Sequence, residues 1–366
     1  MVQQLQTLPL PHYLCSFSAL DRYFRHPYGD NLYVTVLGGL VDLARQVGDS
    51  PQFGELEFPG LDHWDAAVPH NEGHVYFRCI EDPSELSGFA YGALEMLFDP
   101  RSQRFLDRAD AYADLRSRSP SAPYRSDADA FWDTAVLCAR YGFSVADITA
   151  PPAPELAAQP VDEQRRRLID IVCGTYAVQG LEMLMDSGAV AALFPELQPM
   201  NGTAHSKEEH PEGNVWQHSL ETLRYRKSRD LRVALALLLH DCGKPYAQPT
   251  RGKVFDKHSE LGVKTAVSLL RRMGFSSPFI DDVSWLVRNH MLPGALHRLP
   301  TYRSESAMAS PLFPLLLEVY RCDLASTFRG PEGYYRACKV YRSFLKNKAN
   351  PFRAADGKKL LRMYVE

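Results

Sequence analysis

The run Leu231-Arg-Val-Ala-Leu-Ala-Leu-Leu-Leu239 constrains the fold of this chain more than any other segment, because it ends on His240-Asp241. A charge-poor helix of this kind belongs in a core, and it carries an imidazole and a carboxylate in with it. Burying that pair is costly unless a cation or strong hydrogen bonds compensate. The pair is therefore the first place to look for chemistry.

Further candidates flank it at helix-compatible distances, with His218 before it and His258, His290 and Asp323 after it. From Val215 to about Lys346 nearly every segment has helical periodicity, with breaks at Gly243-Lys244-Pro245, at Gly274 to Pro278, and in a loop from about Pro293 to Ser310. This pattern predicts an all-α C-terminal half. In it His218 lies within one helix, His240-Asp241 end the next, His290 ends a helix over 279–289, and Asp323 lies in a helix over 312–327. Helices packed as a bundle can point such side chains at one centre. A single histidine on an apolar helix is commonly a hydrogen-bonded core residue, and Asp241 alone could cap a turn. Their clustering in one helical region favours a shared site instead. Imidazole and carboxylate donors suit Mn, Fe, Co, Ni or Zn, with Mg admissible, and cysteines without metal-site spacing argue against a thiolate zinc finger. His205, His210 and His297 fall in loops and read as surface residues, although His210 is near enough to support the ligands from behind.

The bulk composition limits the function classes. The 366 residues carry a net charge of -3, which argues against a sequence-blind polyanion binder. A local basic patch could still hold a phosphate-bearing ligand, whereas RNA is not indicated. Seven cysteines without Cys-x-x-Cys spacing read as reduced thiols. The start, Met1-Val-Gln-Gln-Leu-Gln, lacks a basic segment followed by an apolar core, and no stretch reaches the roughly 18 to 20 apolar residues of a membrane span. A soluble, cytoplasmic protein without membrane partners is expected, with its oligomeric state open.

The class expected is α+β. Residues 1–118 mix β-rich runs, such as 31–37 and 74–80, with glycine turns and read as a small α/β domain. After a Ser- and Pro-containing loop, 127–200 reads as a helical neck, 201–348 as the all-α domain that holds the histidines, and 349–366 as a tail.

His218, His240-Asp241 followed by Gly243-Lys244, and Asp323 together resemble the H...HD...D signature of the HD superfamily of metal-dependent phosphohydrolases. His258 and His290 match the extra histidines of its two-metal members. The resemblance implies one ion on His218, His240, Asp241 and Asp323, and a second on His258 and His290 with Asp241 as bridge. One or two divalent ions would then activate water and neutralise a phosphate. Asp241 and Lys244 become the catalytic candidates, Lys244 by holding a phosphate oxygen; its ordinary alternative is a solvated loop lysine.

Over most of its length the chain also resembles bacterial tRNA nucleotidyltransferases of the CCA-adding and poly(A) polymerase family. Gly38-Gly39-Leu-Val41 is similar to its glycine turn, Phe89 to Ala93 and Leu106 to Arg118 to the end of its catalytic head, and Asp127 to Phe143 to its nucleotide-selecting helix. Gly180 to Leu184, Leu193 to Leu197 and His210 to Trp216 continue the order. The departures matter more. Such an enzyme needs two carboxylates spaced Asp-x-Asp for its metal ions, yet between Gly39 and His74 the aspartates Asp49, Asp62 and Asp65 are isolated. The family's arginines fall on Asp42, on Leu86 and Ser87, and on Ala130, Asp133 and Val136. Asp356 to Leu361 resembles the start of a C-terminal arm that does not continue, which implies weaker tRNA binding.

The expectation is therefore a metal-dependent phosphohydrolase acting on a nucleotide-like or other small phosphate ester, behind a degenerate nucleotidyltransferase-like head. The alternatives are an active tRNA nucleotidyltransferase with an accessory HD domain, a non-catalytic nucleotide or RNA sensor, and di-iron oxygen chemistry.

Overall fold

The computed structural model describes Leu5, Leu8 and residues 10–347 apart from 28–30, 49–54, 59–63, 71–72, 122, 125, 146–148, 205–212, 249–254 and 256. Asp49, Asp62, His205, His210 and the tail 349–366 lie outside the described residues. By contacts the chain divides into two units, Met1–Pro151 and Pro152–Glu366.

In the first unit the strands β1 (His12–Leu14), β2 (Leu32–Leu37), β3 (Ala66–His70), β4 (Gly73–Ile80), β5 (Leu97–Asp99) and β6 (Arg104–Leu106) form one sheet in the order β3-β4-β2-β1-β5-β6. β2 is Leu-Tyr-Val-Thr-Val-Leu and is buried along its first five residues, as a central strand covered on both faces must be. It runs parallel to β4, with Leu32 opposite Val75 and Leu37 opposite Ile80. A parallel neighbour requires a crossover, and helix α2 (Leu40–Gly48) belongs to that connection, after α1 (Ser16–Tyr23). Gly38, at φ +151°, makes the turn out of β2, and its N–H continues the ladder to Ile80 O at 2.9 Å. Side-chained residues rarely adopt that backbone.

Helices α3 (Tyr112–Ser117) and α4 (Ala128–Tyr141) complete this unit. Asp127 caps α4 by accepting from Ala130 N at 2.9 Å, and Gly142 ends it at φ +71°. By contacts α4 falls in the same unit as the sheet. The physical cause is a buried polar anchor: Arg140 Nη2 donates to both oxygens of Asp21 at 2.8 and 2.7 Å, and Tyr141 Oη donates to Asp21 Oδ1 at 2.7 Å. Both members of the ion pair are under 10% exposed. Arg140→Ala is expected to destabilise the unit by about 3–5 kcal/mol, since it strands a buried carboxylate. An unchanged unfolding midpoint in urea would contradict this.

The second unit is helical in its described residues. Its helices are α5 (Ala153–Ala158), α6 (Val161–Val172), α7 (Ala177–Asp186), α8 (Ala189–Leu193), α9 (Gln198–Asn201), α10 (Val215–Arg224), α11 (Leu231–Leu239), α12 (His258–Arg272), α13 (Ser277–Asn289), α14 (Leu292–Ala295), α15 (Thr301–Met308), α16 (Phe313–Ala325) and α17 (Glu332–Asn347). The apolar run is α11. Every residue from Val233 to Leu239 is fully buried, packed against α10, α13 and α16. The segment 293–310 is not the loop that its sequence suggests, for it contains most of α14 and all of α15. Pro293 sits in the first turn of α14, where its missing N–H removes no helical bond. No helix among the described residues is long and apolar enough to cross a membrane.

Candidate metal centre

α11 is the scaffold of the site because its burial fixes where its C-terminus points. His240 lies at that end, and so does His290 at the end of α13. The last carbonyls of a helix have no partner within it, and the two histidines use them: His240 Nδ1 donates to Leu237 O and His290 Nδ1 to Val287 O, both at 2.8 Å. His258 Nδ1 donates to Phe255 O at 2.9 Å, and His218 Nδ1 to Ser326 Oγ at 3.4 Å. With Nδ1 committed in each ring, the Nε2 lone pair is the atom offered to the centre.

Those lone pairs converge in two groups, His218, His240 and Asp323 in one, and Asp241, His258 and His290 in the other. Nε2 of His218 lies 3.3 Å from Nε2 of His240 and 3.1 Å from Asp323 Oδ1. Nε2 of His258 lies 3.3 Å from Nε2 of His290. Asp241 stands between the groups. Its Oδ2 is 3.3 Å from His240 Nε2 and 3.7 Å from His218 Nε2, while its Oδ1 is 3.5 Å from His258 Nε2 and 3.8 Å from His290 Nε2. Facing lone pairs at such distances repel unless a proton or a cation lies among them. Buried nitrogen and oxygen donors of this kind fit a divalent first-row ion, and helix C-termini add negative potential.

Burial is the largest influence on His290, and with the charges of His240 and His258 it lowers its pKa to about 4, so the ring is neutral near pH 7. Burial would raise the Asp323 carboxyl, but whenever Nε2 of His218 and His240 is protonated, the hydrogen bond from His218 and the two charges hold it well below the usual carboxylate range. Lys244 is not a solvated loop lysine: it is 11% exposed, and its Nζ lies 2.5 Å from Asp241 Oδ2. Cys242, beside the pair, turns away and donates from Sγ to Gly262 O at 3.4 Å.

Gly243 sets the approach of His258. A Cβ there would lie 2.0 Å from His258 O and 2.3 Å from Gly262 N, so the turn after α11 and the start of α12 touch backbone to backbone. Gly243→Ala is expected to cost about 1–3 kcal/mol by overpacking and to pull His258 from Asp241. The checks are thermal unfolding and metal content, and a variant equal to wild type in both would contradict this role.

The site opens into a cavity of about 860 Å³, lined among others by Lys244, Tyr320, Arg298, Arg329 and Arg336. His297, a surface residue by sequence, is exposed and lines the same cavity. Tyr320 and the three arginines were not among the sequence candidates. Only Tyr320 carried a signal, since Tyr320, Asp323, Leu324 and Thr327 fall on one helical face.

Residues 215–315 match the family model of the HD domain. These residues form an HD domain. The match includes five of the six donors, and Asp323 joins them through the geometry. Over 251 residues the chain is 28% identical to a multifunctional CCA protein of Nitrosococcus oceani, which is 65% of this chain and 58% of that protein. It thus spans less than two thirds of that relative. Among solved structures, the Bacillus stearothermophilus CCA-adding enzyme in complex with CTP matches 94% of the chain and 81% of its own, at 16% identity and a TM-score of 0.57. A tRNA-processing enzyme in an apo form matches 97% and 91%, at 11% identity and a TM-score of 0.54. At these identities the likeness is one of fold: the chain has the CCA-adding enzyme fold, a mixed-sheet head followed by helices, with the HD domain in its helical part.

Proposed function

We propose that the HD domain is a metal-dependent phosphohydrolase acting on a nucleotide-like or other small phosphate ester. The observation that carries this reading is Asp241, which turns one oxygen to each of two converging donor groups. His218, His240, Asp323 and Asp241 Oδ2 would hold one divalent cation, and His258, His290 and Asp241 Oδ1 a second. Bound divalent ions supply Lewis acidity and lower the pKa of water towards neutrality. The chain's own part is orientation. The Nδ1 hydrogen bonds hold each ring with Nε2 inward, and Lys244, beside Asp241 at the cavity, offers a mobile cation to a phosphate oxygen. The seven free cysteines support a reducing, cytoplasmic compartment. The test is hydrolysis of phosphomonoesters, cyclic nucleotides and nucleoside triphosphates with Mn, Ni, Co, Fe or Mg. Turnover of at least one class is expected, and binding without any turnover would leave a sensor instead.

A second reading, tRNA nucleotidyl transfer, is favoured by the CCA-protein relative and by the shared fold. Against it stand the residues of the head. Between Gly39 and His74 no Asp-x-Asp occurs; the carboxylates with that spacing are Glu55 and Glu57, and Glu57 lies 3.4 Å from His74 Nε2, while the Asp65 carboxylate accepts Cys79 N at 2.7 Å. Where the family resemblance places base-reading arginines, Ala130, Asp133 and Val136 are buried in α4. We therefore read the head as degenerate, with a structural or substrate-gating role.

A further inference from the structure

The HD cavity has a second polar region that the hydrolytic centre does not use. Tyr320 lies one turn from Asp323 on the same face of α16, and its ring fits between two glycines. A Cβ on Gly294 would come within 3.2 Å of Tyr320 Oη, and one on Gly333 within 2.7 Å. Three arginines line the cavity together with this phenol: Arg298 follows α14, Arg329 precedes α17, and Arg336 is on α17, on one face with Glu332 and Gly333. Burial and the charge of Asp323 push the Tyr320 phenol up against the charges of these three arginines, so it keeps its proton. The side chains of Arg298 and Arg336 have no hydrogen bond or ion pair among the described residues. The lining holds Lys244 and these three arginines against Asp241, Asp323 and Glu332, and two of those carboxylates belong to the metal centre.

We propose that Arg298, Arg336 and the Tyr320 hydroxyl, with Arg329 beside them, form a second phosphate subsite in this cavity. The preferred substrate then carries two phosphate groups, one at the His/Asp centre and Lys244, the other on the arginines. The first placement rests on the hydrolase reading. Arginine suits the second because its planar fork takes two oxygens of one phosphate, and the phenol offers one further donor. A cavity of about 860 Å³ is of the size that accommodates small organic ligands and cofactors. The second phosphate can belong to a bisphosphorylated mononucleotide or to the backbone of an RNA end, and both present the same chemistry.

The test measures binding to the manganese-loaded full chain of adenosine monophosphate, adenosine 3′,5′-bisphosphate and a diadenosine dinucleotide ending in a phosphate. Ligand integrity is followed by chromatography, and KM replaces Kd where turnover intervenes. At least one ligand with two phosphates is expected to bind roughly tenfold or more tightly than the monophosphate, and which one does so tells mononucleotide from RNA end. The double variant Arg298→Gln/Arg336→Gln is expected to lose that excess and keep monophosphate binding. Tyr320→Phe is expected to lose part of it. Equal affinity for all three ligands would overturn the subsite, as would a double variant that weakens every ligand alike. A retained two-phosphate preference in a protein that hydrolyses nothing would leave the subsite standing and remove only the hydrolase reading.

Discussion

Asp241→Ala is expected to strip the protein of bound divalent metal and to lower phosphoester hydrolysis by on the order of a thousandfold or more. Asp241 is the residue whose loss affects both donor groups together. Its Oδ2 lies against His240 and His218, and its Oδ1 against His258 and His290. Without it each group keeps its imidazoles and loses an anionic donor for the cation it would hold. Asp241→Asn separates charge from shape, because it preserves volume and removes the anion. It is expected to retain the fold, measured by thermal unfolding, and to lose both metal and activity. Metal counted per chain by mass spectrometry, beside hydrolysis, reads the effect directly. Wild-type metal content in either variant would dismiss the bridging role.

With tRNA lacking its CCA end, the chain is expected to incorporate neither CTP nor ATP above background, with magnesium or manganese. Two-metal nucleotidyl transfer requires carboxylates that can leave the protein's own hydrogen bonds and face the triphosphate. Asp65, the acid at the start of β3, is tied to the backbone of β4 through Cys79 N. Asp42, at the start of α2, is exposed and lies 4.0 Å from Arg45. Arg140, the basic residue that α4 retains, is spent on Asp21. Incorporation of labelled CTP into such tRNA would reverse the assignment and make nucleotidyl transfer the primary activity.

The convergence of the six candidate residues is legible in the sequence for a definite reason. An apolar run that ends in His-Asp must bury both residues, and helical spacing carries His218, His258, His290 and Asp323 to the same bundle interior. The helix ends that orient the rings are also within reach, since His240 and His290 each follow the last periodic residue. The arginines are not legible, because Arg298, Arg329 and Arg336 come from a turn, a loop and a separate helix that share no period. Segment 293–310 misleads for a local reason: proline and glycine mark breaks, yet Pro293 occupies the one helical turn that tolerates it. In the first unit, β2 and β4 show as apolar runs. The three-residue strands β1, β5 and β6 are too short for periodicity to register, and the parallel pairing of β2 with β4 depends on a crossover that no single segment encodes. The grouping of α4 with the sheet rests on Asp21 and Arg140, 119 residues apart, a separation that no local pattern reports.

The most direct measurement is metal content and hydrolysis of the purified full chain, run beside His240→Ala. The wild-type protein is expected to retain a divalent transition metal and to hydrolyse at least one class among phosphomonoesters, cyclic nucleotides and nucleoside triphosphates, while His240→Ala retains no metal and turns over none. A wild-type protein that holds no metal and hydrolyses nothing with Mn, Ni, Co, Fe or Mg, or a His240→Ala protein as active as wild type, would contradict a hydrolytic metal centre in this HD domain.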